Sequence, residues 1–390
     1  MTPAARVQAA IEVLDLVIEA ARSGGAPADR IVSDWFRTRR FAGSSDRRAV
    51  RELAYGAIRA CGEVPDSGRA AMLHLADRDQ SLADLFDGSN HGAAPINPDE
   101  PVAAGGIAPA WLEQRLAASG IAGVEAAALL DRAPLDVRIN ALKAGSLDLP
   151  QAGERTAAPN GLRYPPGTAI EQWPAHRDGV IEVQDSGSQL ACMAVGARPG
   201  DLVVDLCAGA GGKSLALAAA MDNRGTVLAC DIDRARLSKL APRAERAGAT
   251  IIDTRLLDPG RELVALADWV GGADVVLVDA PCSGTGTWRR NPEARWRLSD
   301  KALSRLTEVQ ARLLDMAMTL VKPGGRLIYV TCSLLDEEGP RQAEAFLARH
   351  PGWCADLPIL PAGRAHGPGW RLTPHHDQTD GFFIARLAAP

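Results

Sequence analysis

The chain has 390 residues, 46% hydrophobic and 23% charged, with a formal net charge of -5. This is length for two or three domains with real cores, and the balance excludes a disordered chain and a fibrous repeat. No run approaches the ~18 apolar residues of a membrane span, the first ten residues lack a secretory signal, and the net charge is not the global mark of a nucleic-acid binder, so a cytoplasmic monomer is expected.

Residues 4–22 place Val7, Ile11, Leu14, Val17 and Ile18 on one stripe, which predicts an amphipathic helix stopped by Gly24 and Gly25. Pro27 opens a second helix carrying Ile31, Val32, Trp35 and Phe36. A third, over 45–60, turns Val50, Leu53, Ala54, Ala57 and Ile58 inward. Ten arginines face seven acids between Arg6 and Arg59, a local basic excess inside an acidic chain. Residues 62–108 are rich in Gly, Pro, Asp and Asn and predict loop, with some helix near 70–75. Helix resumes over 109–118 and 121–130.

The texture changes at Pro134. Leu135, Val137 and Ile139 alternate as in a half-buried strand, and 134–180 read as a small αβ piece. From residue 180 strand, turn and helix repeat. Apolar runs at 202–206, 226–231, 250–256, 274–279 and 326–331 are separated by helical segments at 213–221, 233–247, 261–270 and 301–321. Residues 382–387 supply a last strand. The pattern predicts a doubly wound, Rossmann-like α/β sheet, parallel and covered on both faces. The expected domains are helical 1–124, a small αβ linker subdomain 125–179 and the sheet domain 180–390.

The seven cysteines are odd in number and none sits in a CxxC, which supports neither a disulfide framework nor a metal cluster. The run from Val203 to Ser214 is strand, small-residue loop and helix start, with Cys207, Ala208, Gly209, Ala210, Gly211, Gly212 and Lys213 in the loop. Small residues let backbone approach a ligand, and a helix N-terminus offers free N–H groups. The loop is neither a Walker loop nor a clean GxGxxG. Alone it is a tight βα turn. The next strand ends in Asp231, where an acid can take both hydroxyls of a ribose. Asp258 follows the third strand; Asp253 competes with it but sits within the strand. Acids at successive strand ends disfavour a pyrophosphate and suit an uncharged nucleoside carrying a cation. S-adenosylmethionine is such a ligand.

The fourth strand runs out through Asp279-Ala280-Pro281-Cys282 and the fifth through Thr331-Cys332-Ser333. Ligands of doubly wound sheets bind beyond the carboxyl ends of the strands, so two cysteines and an aspartate converge on the cofactor edge. Cytosine C5 is a poor nucleophile; a thiolate added at C6 makes it enolate-like and able to take a methyl group. That chemistry needs one nucleophilic cysteine, a group such as Asp279 on the polar edge of the base, and help with release. Between them, Arg289, Arg290, Arg295, Trp296 and Arg297 mix cations with an aromatic, a composition suited to phosphate contact and base stacking in RNA.

The set VQDSGSQL (183–190), DLCAGAGGKS (205–214), DAPCSGTG (279–286), TCS (331–333) and DGFF (380–383) resembles the Sun/Fmu family of RNA cytosine-5 methyltransferases over residues 125–390. The segment DRRAVRELAYGAIR (46–59) resembles the NusB-like RNA-binding domain of its bacterial rRNA members. The resemblance implies that Cys332 is the nucleophile, that Cys282 assists product release, and that residues 207–213, Asp231, Asp258 and Asp279 line the S-adenosylmethionine site. It implies small-subunit 16S rRNA as substrate, with tRNA as the alternative. The chain departs from the family pattern at Ala210, where the family carries Pro. A DNA cytosine-5 methyltransferase would place its nucleophile at Cys282 and a glutamate motif on the next strand, which here ends in Thr331-Cys332.

Overall fold

The computed structural model describes residues 1–143, 145 and 147–390. Two units divide the chain: residues 1–131 with 287–299, and residues 132–286 with 300–390.

The first unit is helical. Helix α1 (Pro3–Ser23) starts at Thr2, whose hydroxyl accepts the Ala5 N–H at 3.1 Å, and stops at Gly24 in the left-handed region. Helices α2 (Ala28–Arg37), α3 (Ser44–Ala60) and α4 (Gly68–Ala76) follow. A Cβ on Gly68 would lie 2.3 Å from the Ile11 carbonyl oxygen, so only glycine allows α4 this close to α1. The stripe read from the sequence, with Val7, Leu14 and Val17, packs with Val50, Ala57 and Met72 into one core.

Residues 287–299 belong to this unit, and they correct the expectation of an RNA-contacting face. Trp288, Arg289, Arg295 and Trp296 are buried. The Arg295 guanidinium donates to the carbonyls of Ile58 at 2.6 Å and Cys61 at 2.8 Å, and also to Pro292. These include the last carbonyls of α3, which have no intrahelical partner, and a cation there also answers the helix dipole. Burial pushes the Arg295 pKa down to about 10. Trp296 Nε1 donates to Cys61 O at 3.3 Å, and Arg297 caps the chain after α1 through Gly25 O at 2.8 Å and Ala26 O at 2.6 Å. Arg290 is half-buried beside them. Arg295 and Arg297, which read as phosphate contacts, serve as internal clasps.

In the second unit, β1 (Leu135–Ile139), β2 (Glu154–Arg155), β3 (Gly161–Tyr164) and β4 (Ile181–Val183) form an antiparallel sheet in the order β2-β3-β1-β4. It shares this unit with the large sheet, so residues 125–179 are not a unit of their own. The large sheet contains β5 (Leu202–Asp205), β6 (Thr226–Asp231), β7 (Ile252–Leu256), β8 (Ala273–Asp279), β9 (Val321–Thr331), β10 (Cys354–Ala355), β11 (Arg364–His366), β12 (Gly369–Leu372) and β13 (Phe382–Ala388). Its order is β11-β12-β13-β9-β8-β5-β6-β7, with β10 also on β13. Strands β5 to β9 are parallel, and β10 to β13 pair antiparallel. Chain order reverses between β5 and β8, which opens a crevice at their carboxyl ends. The fold is Rossmann-like.

Within the second unit, helical segments depart from the reading in two places. The 233–247 helix is two pieces, Arg234–Leu237 and Leu240–Ala247; the break leaves Pro242 in a first turn, where its missing N–H costs nothing. The 261–270 helix shrinks to Glu262–Ala265 and a short turn. Helix Pro340–Arg349 and strands β10 to β12 were not anticipated. Among the described residues no helix is long and apolar enough to cross a membrane.

Candidate active site

Asp205 ends β5 wholly buried, and its carboxylate accepts the Ser214 hydroxyl at 2.7 Å. Burial, with Asp279 nearby, pushes its pKa up to about 7. The chain then turns through Gly209 and Gly211, at φ +56° and +84°, a conformation glycine adopts without strain. It enters the helix Gly212–Ala220. Asp231, at the end of β6, ties this loop down: its oxygens accept the Gly209 N–H at 2.7 Å and the Asp233 N–H at 2.8 Å. Arg243 holds the other side through the Ala210 carbonyl at 2.6 Å. That anchor supplies restraint at the position where the Sun/Fmu pattern carries proline.

Asp258 is exposed two residues past β7, whereas Asp253 lies inside β7 in register with Leu228. Of the two, Asp258 stands at the carboxyl edge. Cys207 sits in the loop with its thiol pushed well up, by burial first and by Asp205, Asp279 and Asp231 after it.

Lys213, in the first turn of its helix, places Nζ 2.6 Å from Asp279 Oδ2 and 5.8 Å from the Phe382 ring centroid. Burial opposes its charge, but Asp279, Cys192 and Asp205 outweigh that and raise its pKa. Gln184 and Asp185 connect the remaining motifs. Gln184 donates to the Gly212 carbonyl at 3.4 Å and accepts from Arg138 at 2.7 Å. Asp185 caps the helix Ser186–Val195 through the Gly187 N–H at 2.8 Å, and both its oxygens accept the Asp380 N–H at 3.2 Å.

The two cysteines that follow β8 and β9 meet: Cys282 Sγ lies 3.4 Å from Cys332 Sγ, and both are free thiols. The Cys282 pKa is raised well above the usual thiol range by the contact with Cys332, then by burial, then by the Glu338 carboxylate.

Sequence reasoning missed the network beneath them. Glu338 is fully buried. It accepts the Ser283 N–H at 2.8 Å, the Ser283 hydroxyl, and the Gln310 amide at 3.0 Å. Gln310 also donates to the Pro281 carbonyl at 2.9 Å. Ser333 Oγ stands 3.1 Å from Ser283 Oγ and 3.2 Å from Thr285 Oγ1. Gly286 N–H bonds the Cys332 carbonyl at 2.9 Å, so the loop after Cys282 is cross-linked to the Cys332 loop at several points. The only signal in the sequence was a glutamate six residues past Cys332, inside what reads as an acidic turn. Among the described residues no group of three or more His, Cys, Asp or Glu could hold a metal ion.

Parallel strands, a glycine turn clamped by an acid, and a thiol pair beyond β8 and β9 define a Rossmann-like methyltransferase fold with a two-cysteine site. The family model of 16S rRNA methyltransferase RsmB/F matches residues 192–388, and the chain belongs to that family. A probable ribosomal RNA small subunit methyltransferase B of Synechocystis sp. is 36% identical over 271 residues, covering 65% of this chain and 59% of its own length. Ribosomal RNA small subunit methyltransferase B of Salmonella typhi is 36% identical over 234 residues, covering 59% of this chain and 52% of its own. The matches therefore span little more than half the length of these relatives. The crystal structure of PH0851 superposes over 99% of both chains, with a TM-score of 0.73 and 26% identity. Pyrococcus horikoshii NSun6, solved with SFG, shares the fold at a TM-score of 0.58 and 20% identity, over 71% of this chain and 97% of its own.

Proposed function

We propose that this chain transfers a methyl group from S-adenosylmethionine to C5 of a cytosine in small-subunit ribosomal RNA, through a covalent bond between Cys332 and C6. The observation that carries the reading is the thiol pair, 3.4 Å apart beyond β8 and β9, at the same sheet edge as the Lys213–Asp279 ion pair beyond β5 and β8. The donor set fits the cofactor: small residues at 207–212 leave backbone accessible, and Asp231, Asp258 and Asp279 give the edge the negative character a sulfonium favours. Bound there, S-adenosylmethionine supplies an electrophilic methyl carbon.

The chain's own residues supply the rest. Cys332, its thiol proton released to solvent, adds through Sγ to C6, and the C5=C6 pair moves onto C5, which takes the methyl group. Asp279 holds the N3 and amino edge of the base, with Lys213 fixing its orientation. The C5 proton then leaves to a base, C5=C6 re-forms, and the C6–S bond breaks with its pair returning to sulfur. Cys282, across the 3.4 Å gap, assists that elimination.

Denaturing gels with RNA and cofactor test the assignment. Cys332→Ala should give neither adduct nor product; Cys282→Ala should accumulate enzyme attached to RNA. An adduct with Cys332→Ala and none with Cys282→Ala reverses the roles. Bisulfite sequencing of total RNA from a deletion strain tests the substrate, and loss of a 5-methylcytosine from tRNA in place of rRNA would replace it.

A further inference from the structure

Two free thiols 3.4 Å apart, carried by loops 50 residues apart in sequence, are a reactive arrangement whatever substrate the site takes. Cys282 and Cys332 are both half-buried, within reach of a molecule as small as a peroxide, whereas Cys61, Cys192 and Cys230 are buried. The sulfurs need to close by about 1.4 Å to the bonded length of about 2.05 Å, a change within the reach of side-chain torsions.

The two loops hold each other in place meanwhile. Gly286 N–H donates to the Cys332 carbonyl at 2.9 Å, and Leu334 N–H donates to Thr285 Oγ1 at 2.8 Å. Ser283 Oγ and Ser333 Oγ, each next in sequence to one of the cysteines, stand 3.1 Å apart. Neither thiol therefore has to be brought to the other. Groups fixed in contact react at a high effective concentration, so the second sulfur outruns any thiol in solution.

A lone cysteine nucleophile meets an oxidant differently. Its sulfenic acid waits for an external thiol, or goes on to sulfinic and sulfonic acids that thiol reductants do not reverse. Here the partner is already in contact. One thiolate takes an oxygen from the peroxide: the S–O bond forms, the O–O bond breaks, and the hydroxide released is protonated by solvent. The second sulfur then attacks the first. The S–S bond forms, the S–O bond breaks, and the oxygen leaves as water with the proton of the second thiol. Two thiols are oxidised by two electrons, and one peroxide is reduced to two waters.

We propose that Cys282 and Cys332 close a reversible disulfide under peroxide, which stops turnover and keeps Cys332 from irreversible oxidation. Cys282 thereby serves Cys332 a second time, as its resolving thiol. The bond rests on the thiol pair alone; that it stops methylation rests on the proposed function.

The test uses the full chain, reduced and then exposed to rising hydrogen peroxide. Remaining thiols are alkylated, and the digest is read by mass spectrometry without reductant. A peptide pair joined through Cys282 and Cys332 should form in proportion to the loss of methyl transfer, and dithiothreitol should restore both. In Cys282→Ala the same dose should carry Cys332 to sulfinic acid, which dithiothreitol leaves in place. Cys354→Ser, which removes the exposed thiol, should follow the wild type. Sulfinic acid forming at Cys332 of the wild type as fast as in Cys282→Ala would overturn the proposal. So would a disulfide from either cysteine to a third one, or a joined pair that methylates RNA undiminished. A wild type that closes and reopens the pair but methylates no RNA before oxidation would strike the proposed function and leave the pairing standing.

Discussion

Glu338→Ala takes one carboxylate from beneath the thiol pair, and the hydrogen bonds it leaves set the cost. Three donors lose it: the Ser283 N–H, the Ser283 hydroxyl and the Gln310 amide. Two have somewhere to go, because Gln310 keeps the Pro281 carbonyl at 2.9 Å and Ser283 Oγ keeps Ser333 at 3.1 Å. The Ser283 N–H has nothing else, and an orphaned buried amide costs about 1–3 kcal/mol. Adding the loss of hydrogen bonds to a charged acceptor gives about 2–4 kcal/mol, a large share of the about 5–15 kcal/mol by which a domain is stable. Glu338→Gln keeps an oxygen for the Ser283 N–H, and its amide can donate to the Ser283 hydroxyl, so about 1 kcal/mol is expected.

A chain of two units is not a two-state unfolder, so the measurement must report on one unit. Cys230 is wholly buried in the sheet, and its protection from alkylation in rising urea isolates the sheet unit. The second readout is chemical. Glu338 is one of the charges that raise the Cys282 pKa, so Glu338→Gln should move Cys282 ionisation, and the alkaline limb of the kcat profile, to lower pH. If both variants stay within about 0.5 kcal/mol of wild type with unchanged pH profiles, the network is incidental to the site.

Asp205, with a folded pKa of about 7 against an ordinary 3.8, binds more protons folded than unfolded between those values. The stability its neutral form contributes is therefore complete below about pH 4 and lost as pH rises through about 7. Asp205→Asn should flatten that slope, gaining on wild type at pH 8 relative to pH 5 in the Cys230 protection assay. Gly286→Ala would bring a Cβ 2.2 Å from the Gly381 carbonyl oxygen; about 1–3 kcal/mol of strain and loss of turnover are expected, read by the same assay and by methyl transfer. Arg295→Ala should destabilise the helical unit by about 1–3 kcal/mol, because the carbonyls at the end of α3 lose their donor, yet leave the salt slope of RNA binding unchanged. A flattened slope would return Arg295 to the phosphate-binding role.

The sheet was legible because strands buried on both faces are continuous apolar runs, and those runs alternate with helical segments. Strands β10 to β12 escaped because they are two to four residues long and pair antiparallel at the far edge, too short to show a period. The acidic edge and the meeting of both cysteines were legible from strand ends alone, since topology sends every parallel strand end to one side. Glu338 and Arg295 were not. A charged side chain is read as solvated unless something nearby in sequence says otherwise, and the side-chain partners lie 28 or more residues from Glu338 and, Pro292 apart, 234 or more from Arg295.

Asp231 carries a second duty that its position alone does not reveal. The sequence places this acid at a strand end, facing a ribose, and in the structure each oxygen also accepts a backbone N–H. A carboxylate offers about four lone-pair directions, so two remain for hydroxyls while two fix the loop. The same atoms then shape the glycine turn and present its acidic edge, and a cofactor that binds one meets the other already in place. Asp258, exposed past β7 and outside that clamp, has no comparable structural duty. The difference divides the acidic edge by cost. Losing Asp258 removes at most a ligand contact, whereas losing Asp231 removes a contact and releases the turn that positions Lys213 against Asp279.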